Sequence, residues 1–106
     1  MLASDLTRGE RLMVDRRRRG LSQVEMSTFL KVGLRQYRKW ERDEEDAPNK
    51  GVGKLALHER CYMARRRASV ERQQLAKRMK CSRLWITLME TGRAPVEALA
   101  EYWGLA

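Results

Sequence analysis

The chain has 106 residues, a formal net charge of +9 and a pI near 10.3. A protein this basic is attracted to polyanions, so nucleic acid is the first partner to consider and an anionic membrane surface the second. The sequence holds a single histidine and shows no glycine-rich phosphate loop or nucleophile motif. We therefore expect that the protein is not an enzyme and needs no cofactor.

The order of the residues disfavours a membrane protein and a metal site. No apolar run approaches the roughly 18 residues that a membrane-spanning helix needs, and the N-terminus has no apolar signal core. His58 and Cys61 have the spacing of two metal ligands, but no second pair completes a tetrahedral set. We expect a cytoplasmic protein with no membrane partner and no bound metal.

Two capping boxes mark the first two helices. Helical spacing of apolar residues recurs along the chain without sustained alternation, so the predicted fold class is all-α. Thr7 with Glu10 is typical of a helix start, and Gly20 suits the left-handed position at the end of that helix. Ser22 with Glu25 predicts the start of a second helix, which continues through Phe29.

A third helix is predicted over residues 34–42, after a turn at residues 31–33. The acidic run at residues 43–46 follows, and with the Pro- and Gly-containing stretch after it forms the only segment that resembles a linker. This segment divides the chain into a first domain, residues 1–50, and a second domain, residues 51–106.

The second half predicts four helices. Three are expected at about residues 54–67, 70–79 and 83–90, and the last at residues 96–102 after Pro95. The residues predicted to seal the core at the C-terminus are Leu99, Tyr102, Trp103 and Leu105.

The two halves are copies of one pattern. Residues 6–43 reappear, shifted by 49 positions, as residues 55–92, with charged and apolar positions kept while the residue types drift. Cys61 and Cys81 stand at positions that are apolar in the first copy, so buried thiols are expected rather than a disulfide. Halves this small bury little surface alone, and the copies are expected to pack on each other.

The segment over residues 20–43 resembles the Cro/phage-repressor (XRE-like) family of helix-turn-helix DNA-binding proteins. Ser22 and Gln23 at the start of the second helix carry the resemblance, together with Trp40 and Glu41 at the end of the third. The second copy is similar to the same family over most of its length. The resemblance implies tandem lambda-repressor-like helix-turn-helix bundles packed together.

Several positions either follow or depart from the family pattern. Lys31 and Asp43 stand at positions where the family usually has Gly. Gly33 stands where the family usually has Ser or Thr. Glu41 and Glu90 resemble the family's internal salt-bridge partners, and the natural counter-ions are Arg16 and Arg65. The core residues implied on the third helices are Tyr37, Trp40, Ile86 and Met89.

The resemblance also implies which residues of the first copy touch DNA. The implied contacts are Gln23 on a phosphate, Leu34, Arg35, Gln36 and Lys39 in the major groove, and Arg38 and Arg42 on the backbone. Arg35 or Lys39 can pair with guanine, and Gln36 can pair with adenine. Exposed Arg, Gln and Lys are equally typical of a solvated helix face, so the assignment depends on the motif.

The third helix of the second copy presents a different face. Its outward positions are Arg83, Leu84, Trp85 and Leu88, and three of the four are apolar. Arg72 and Arg83 remain candidates for phosphate contacts. Three interpretations of the apolar face stay open: packing against the first copy or the C-terminal helix, homodimerisation or binding of another protein, and direct contact with DNA.

The sequence therefore predicts a sequence-specific DNA-binding transcriptional regulator, a repressor of phage or mobile-element type. Its recognition helix is residues 34–42, its partner is double-stranded DNA, and it is expected to be nucleoid-associated in a bacterial host. The alternative is a helix-turn-helix protein-interaction factor, such as an antiactivator, antirepressor or polymerase-associated factor. That factor uses the apolar face of the helix at residues 83–90 on a protein target. A DNA-binding regulator could instead form a homodimer through its second motif.

Overall fold

A computed structural model describes residues 6–49 and 51–105. Within these residues the secondary structure consists of seven helices and no strand, which confirms the predicted all-α class. The chain divides into two compact units with the boundary between Lys54 and Leu55. The sequence predicted the boundary between residues 50 and 51, and residue 50 lies outside the described residues. None of the described helices is long and apolar enough to cross a membrane.

The first unit begins its helices where the capping boxes predict. Its helices are α1 (Arg8–Arg18), α2 (Gln23–Phe29) and α3 (Leu34–Glu41). The Thr7 hydroxyl accepts the Glu10 N–H at 3.1 Å, and the Glu10 carboxylate accepts the Thr7 N–H at 2.9 Å. Ser22 and Glu25 exchange the same two bonds at the start of α2. Gly20, with φ of 69°, ends α1 as predicted.

The second unit repeats this order and adds a helix. Its helices are α4 (Leu57–Arg67), α5 (Arg72–Met79), α6 (Arg83–Glu90) and α7 (Glu97–Tyr102). α4 and α6 occupy the positions that align with α1 and α3, so the sequence repeat is also a structural repeat. α4 starts at Leu57 rather than near Lys54, because the Glu59 carboxylate accepts the Ala56 N–H and sets the first turn there.

Each unit has its own apolar core. In the first unit α1, α2 and α3 contribute Leu12, Met26 and Tyr37, and in the second α4, α5, α6 and α7 contribute Cys61, Leu75, Ile86 and Leu99. The predicted core residue Trp40 is half-buried. The expectation for Tyr102 was wrong: it is 42% exposed, because it lies at the last turn of α7 with its hydroxyl accepting a hydrogen bond from Arg78 at 3.3 Å.

A buried ion pair links the first and third helices of each unit. Arg16 Nε lies 2.6 Å from Glu41 Oε2, and Arg65 Nε lies 2.6 Å from Glu90 Oε2. The two glutamate side chains are only 1% and 2% exposed. Nη1 of each arginine also donates to a carbonyl five residues further along the chain, at 3.1 Å and 2.9 Å. The counter-ions implied by the resemblance are therefore confirmed.

Asp43 stands at the C′ position of α3, where glycine is the commonest residue in proteins. It adopts a left-handed conformation, with φ of 57°, immediately after α3. Its carboxylate accepts the Thr7 hydroxyl at 2.6 Å and the Gly9 N–H at 2.9 Å. These bonds satisfy donors at the start of α1 and offset the strain of a non-glycine residue in this conformation.

The two units exchange a small and a large residue at this contact. A Cβ on Gly9 would lie 2.3 Å from the Trp40 carbonyl oxygen, so only glycine fits there. In the second unit the aligned position is His58, and the residue aligned with Asp43 is Gly92, where a Cβ would lie 3.0 Å from the His58 ring. Each unit therefore has one glycine at this contact, where the end of α3 meets the start of α1 and the end of α6 meets the start of α4.

We expect the Glu41→Gln variant to destabilise the first unit by about 3 kcal/mol or more, because it removes the buried carboxylate charge that pairs with the part-buried Arg16 guanidinium. A thermal melt followed by circular dichroism should show a midpoint lowered by more than about 10 °C. Glu44→Gln is the matched control, because this exposed carboxylate lies 3.4 Å from an exposed guanidinium, that of Arg42. Equal midpoints for the two variants would show that the buried pair contributes no more than a surface pair.

The thiol of Cys61 lies in the core of the second unit and is fully buried. Burial raises the pKa of this thiol from 9.0 to about 11, and the charge of Glu90 acts in the same direction. Because the folded-state pKa is raised, burial of the neutral thiol stabilises the second unit below a pH of 9.0, and this contribution is lost as the pH rises through about 11. Cys81 is half-buried, and both cysteines are free thiols.

In the folded protein at about pH 8, we expect a thiol reagent to modify Cys81 quickly and Cys61 only after unfolding. Mass spectrometry of the native and denatured protein measures the two rates. The Cys81→Ser variant should lose the fast reaction and keep the slow one. Equal rates at the two thiols of the native wild-type protein would contradict the burial of Cys61.

Candidate nucleic-acid interface

The outer face of α3 carries the polar residues that the sequence assigned to DNA. Arg35, Arg38 and Arg42 are exposed, and Leu34, Gln36 and Lys39 are half-buried. On the inner side of the same helix Tyr37 and Glu41 are buried. α3 therefore separates a cationic outer face from a buried inner face within its two turns.

Gln23 contacts two protein groups at the start of α2. Its Nε2 donates to Glu41 Oε1 at 3.0 Å, and its Oε1 accepts from Arg38 Nε at 3.3 Å. Gln23 thus connects a buried carboxylate to an exposed guanidinium, which the sequence did not predict. An amide nitrogen has two N–H donors, so one donor of Gln23 remains for the predicted phosphate contact.

The buried carboxylate of Glu41 forms the base of this interface. It accepts hydrogen bonds from Arg16 of α1, from Gln23 of α2 and from the hydroxyl of Tyr37 in α3. Burial raises the pKa of Tyr37 far above 10.0, and the hydrogen bond to Glu41 acts in the same direction. One carboxylate therefore joins all three helices of the unit and holds α3 in a defined position.

The acidic run after α3 folds back onto the outer face of that helix. Glu45 Oε2 accepts from Gln36 Nε2 at 2.5 Å, and Glu45 Oε1 lies 3.5 Å from Lys39 Nζ. The hydrogen bond from Gln36 lowers the pKa of Glu45, and the charge of Lys39 acts in the same direction. Sequence analysis assigned this run to a linker and missed Glu45, since the contact depends on a chain reversal at Asp43 and has no regular spacing.

The second unit places fewer polar groups on the equivalent face. Arg72 Nη1 donates to Thr87 Oγ1 at 2.9 Å, which joins α5 to α6. Arg83 is exposed and lines two grooves, one lined also by Arg72 and the other by Lys77. Both predicted phosphate contacts of this unit, Arg72 and Arg83, therefore lie beside the same groove.

The outward face of α6 is apolar. Leu84 is 67% exposed and Trp85 is 44% exposed, whereas Leu88 is half-buried. None of the three belongs to the apolar core that α4, α5, α6 and α7 share. The core of the second unit therefore does not account for these side chains.

Comparison of the chain with models of protein families, with curated proteins and with solved structures found no significant match. Among residues 6–49 and 51–105, no group of three or more His, Cys, Asp or Glu side chains is placed to hold a metal ion.

Proposed function

We propose that this protein is a sequence-specific DNA-binding transcriptional regulator, a repressor of phage or mobile-element type. The observation that carries the proposal is the outer face of α3, which presents exposed cations and an amide. The buried Glu41 carboxylate holds this helix in place through hydrogen bonds from Gln23 and Tyr37. α2 and α3 are short, pack on each other and are separated by a tight turn, and these features support the inference of a helix-turn-helix. We infer that each unit is a lambda-repressor-like bundle of this type.

The side chains of α3 have different roles in this proposal. Arg35 makes no hydrogen bond or ion pair with the described part of the chain, so its guanidinium is available for guanine O6 and N7. Gln36 offers an amide to adenine or cytosine, and Arg38 and Arg42 contact phosphates on either side of the groove. Cation contacts of this kind make the affinity fall with salt.

The second unit supports DNA binding without choosing a sequence. Arg72 and Arg83, which line the same groove, provide phosphate contacts, while on the apolar face of α6 the leucines offer no hydrogen bond to base edges and Trp85 offers only its indole N–H. The sequence preference of the whole chain then comes from α3.

We expect Arg35→Ala and Gln36→Ala each to weaken binding to the selected site by about 5-fold to 150-fold, which corresponds to 1–3 kcal/mol for a base contact. Each should relax the preference at one base position. The bound sites come from selection in a random pool of double-stranded DNA, and the affinities from fluorescence anisotropy at several salt concentrations. Arg8→Ala, an exposed cation at the start of α1, is the control and should change affinity by less than about 3-fold.

The proposal is wrong if the wild-type protein enriches no sequence from the pool. It is also wrong if binding weakens with salt but responds equally to Arg35→Ala, Gln36→Ala and Arg8→Ala. Either result would leave only general attraction between a basic protein and DNA.

A second candidate function is a helix-turn-helix protein-interaction factor that uses α6. The exposure of Leu84 and Trp85 favours it, since aromatic and apolar side chains of this kind anchor protein interfaces. Residues 51–106 carry 11 Lys and Arg against 5 Asp and Glu. Charge complementarity therefore indicates a partner with an acidic, apolar surface and disfavours a second copy of this unit.

Replacing Leu84 with Ser and Trp85 with Ala in one variant should abolish regulation in a reporter strain if α6 holds a partner. The thermal midpoint and DNA binding through α3 should remain at wild-type values. Phe29→Ala, which removes an exposed apolar side chain of the first unit, is the matched control. Undiminished regulation by the double variant would exclude a partner on α6. If the wild-type protein is a dimer in solution and the double variant is a monomer, the surface serves self-association instead.

A further inference from the structure

Glu45 spans one turn of the outer face of α3. Its two carboxylate oxygens contact Gln36 at 2.5 Å and Lys39 at 3.5 Å, and these residues are neighbours on the same side of the helix. Both were assigned to the major groove from the sequence. The carboxylate therefore lies among the groups that would meet the bases.

The position of Glu45 is set by the backbone. The Glu44 N–H donates to the Lys39 carbonyl at 2.9 Å, and the Asp43 N–H donates to the Trp40 carbonyl at 3.2 Å, which together form a Schellman motif. Asp43 is held in its left-handed conformation by bonds to the start of α1. Because this reversal is bonded to two helices, Glu45 returns to α3 by a defined path.

The contact changes what Gln36 offers to a base. A free amide reads adenine by donating to N7 and accepting from the N6 amino group. Nε2 of Gln36 donates one of its two N–H groups to Glu45, which fixes the orientation of the amide and leaves the carbonyl oxygen as an acceptor and the second N–H as a donor for a base. In the major groove, exocyclic amino donors belong to adenine and cytosine only, and a carboxylate also accepts from cytosine N4.

The same carboxylate opposes general attraction to DNA. The charge of Glu45 offsets that of Lys39, so this lysine contributes less to phosphate binding. The acceptor atoms of guanine O6 and thymine O4 are also repelled by a carboxylate. Weaker binding to random DNA with retained binding at matching sites raises the ratio of specific to non-specific affinity.

The second unit lacks every member of this contact. The residues aligned with Gln36, Lys39 and Glu45 are Trp85, Leu88 and Ala94. The acidic residue is therefore present only in the copy whose outer face is polar, which is expected if it acts on that face.

We propose that Glu45 is a specificity-determining residue that orients Gln36 and offsets Lys39, so that α3 selects a base with an exocyclic amino group. The inference rests on the proposed function, because it requires that α3 enters the major groove.

The test compares the wild-type protein with Glu45→Gln and with Asp46→Asn. Asp46 is exposed and belongs to the same acidic run, so Asp46→Asn removes the same charge without touching Gln36 or Lys39. Selection from a random pool of double-stranded DNA should show one position restricted to adenine or cytosine for the wild-type protein and for Asp46→Asn. Glu45→Gln should relax that position and bind random-sequence DNA at least about 3-fold more tightly, with a salt slope steeper by about 0.9.

Each contrary result has a separate meaning. Sites of Glu45→Gln identical to wild-type sites would overturn the inference and leave the proposed function standing. Equal relaxation by Asp46→Asn would also overturn it, since the effect would then be general electrostatics. A wild-type protein that selects no sequence overturns the proposed function. An NMR titration of the free protein then tests the contact between Glu45 and Gln36 by itself. If the pKa of Glu45 is not lowered in the wild-type protein, or does not rise in the Gln36→Ala variant, the contact is absent.

Discussion

The buried pair between an arginine of the first helix and a glutamate of the third is the constraint on which each unit depends. In units of about 50 residues the total stability is only a few kcal/mol, and loss of one member of a buried pair costs an amount of the same order. Arg16 and Arg65 also donate to the carbonyls of Leu21 and Val70, so each arginine joins the first helix, the following loop and the third helix. The outer faces of α3 and α6 can differ because this inner connection is the same in both units.

The two copies have diverged by linked changes rather than by independent ones. Where the first unit has Gly9 and Asp43, the second has His58 and Gly92. In each unit a side chain on one segment lies against a glycine on the other. The outer faces follow the same rule: Gln36, Lys39 and Glu45 are replaced together by Trp85, Leu88 and Ala94. Gln36 and Lys39 both bond to Glu45, so the three are replaced together. A carboxylate beside Trp85 and Leu88 would have no hydrogen-bond partner there.

Local features were predictable wherever one short segment contains both members of an interaction. The capping boxes at Thr7 and Ser22 and the glycine end of α1 were correct, because their hydrogen bonds join residues three to five positions apart. The all-α class and most core residues followed from helical spacing. Tyr102 was misplaced because helical spacing does not show which side of a terminal helix the rest of the unit covers.

The sequence by itself determined the repeat, the starts of α1 and α2 and the residue types on the outer faces of α3 and α6. The tertiary structure alone decided which of those residues meet. Gln23 bridges Glu41 and Arg38 across two helices, and Glu45 reaches Gln36 and Lys39 only because Asp43 reverses the chain against the start of α1. The physical reason is that hydrogen bonds between side chains depend on positions in space, and residues that are distant or irregularly spaced in sequence come together only when the helices pack.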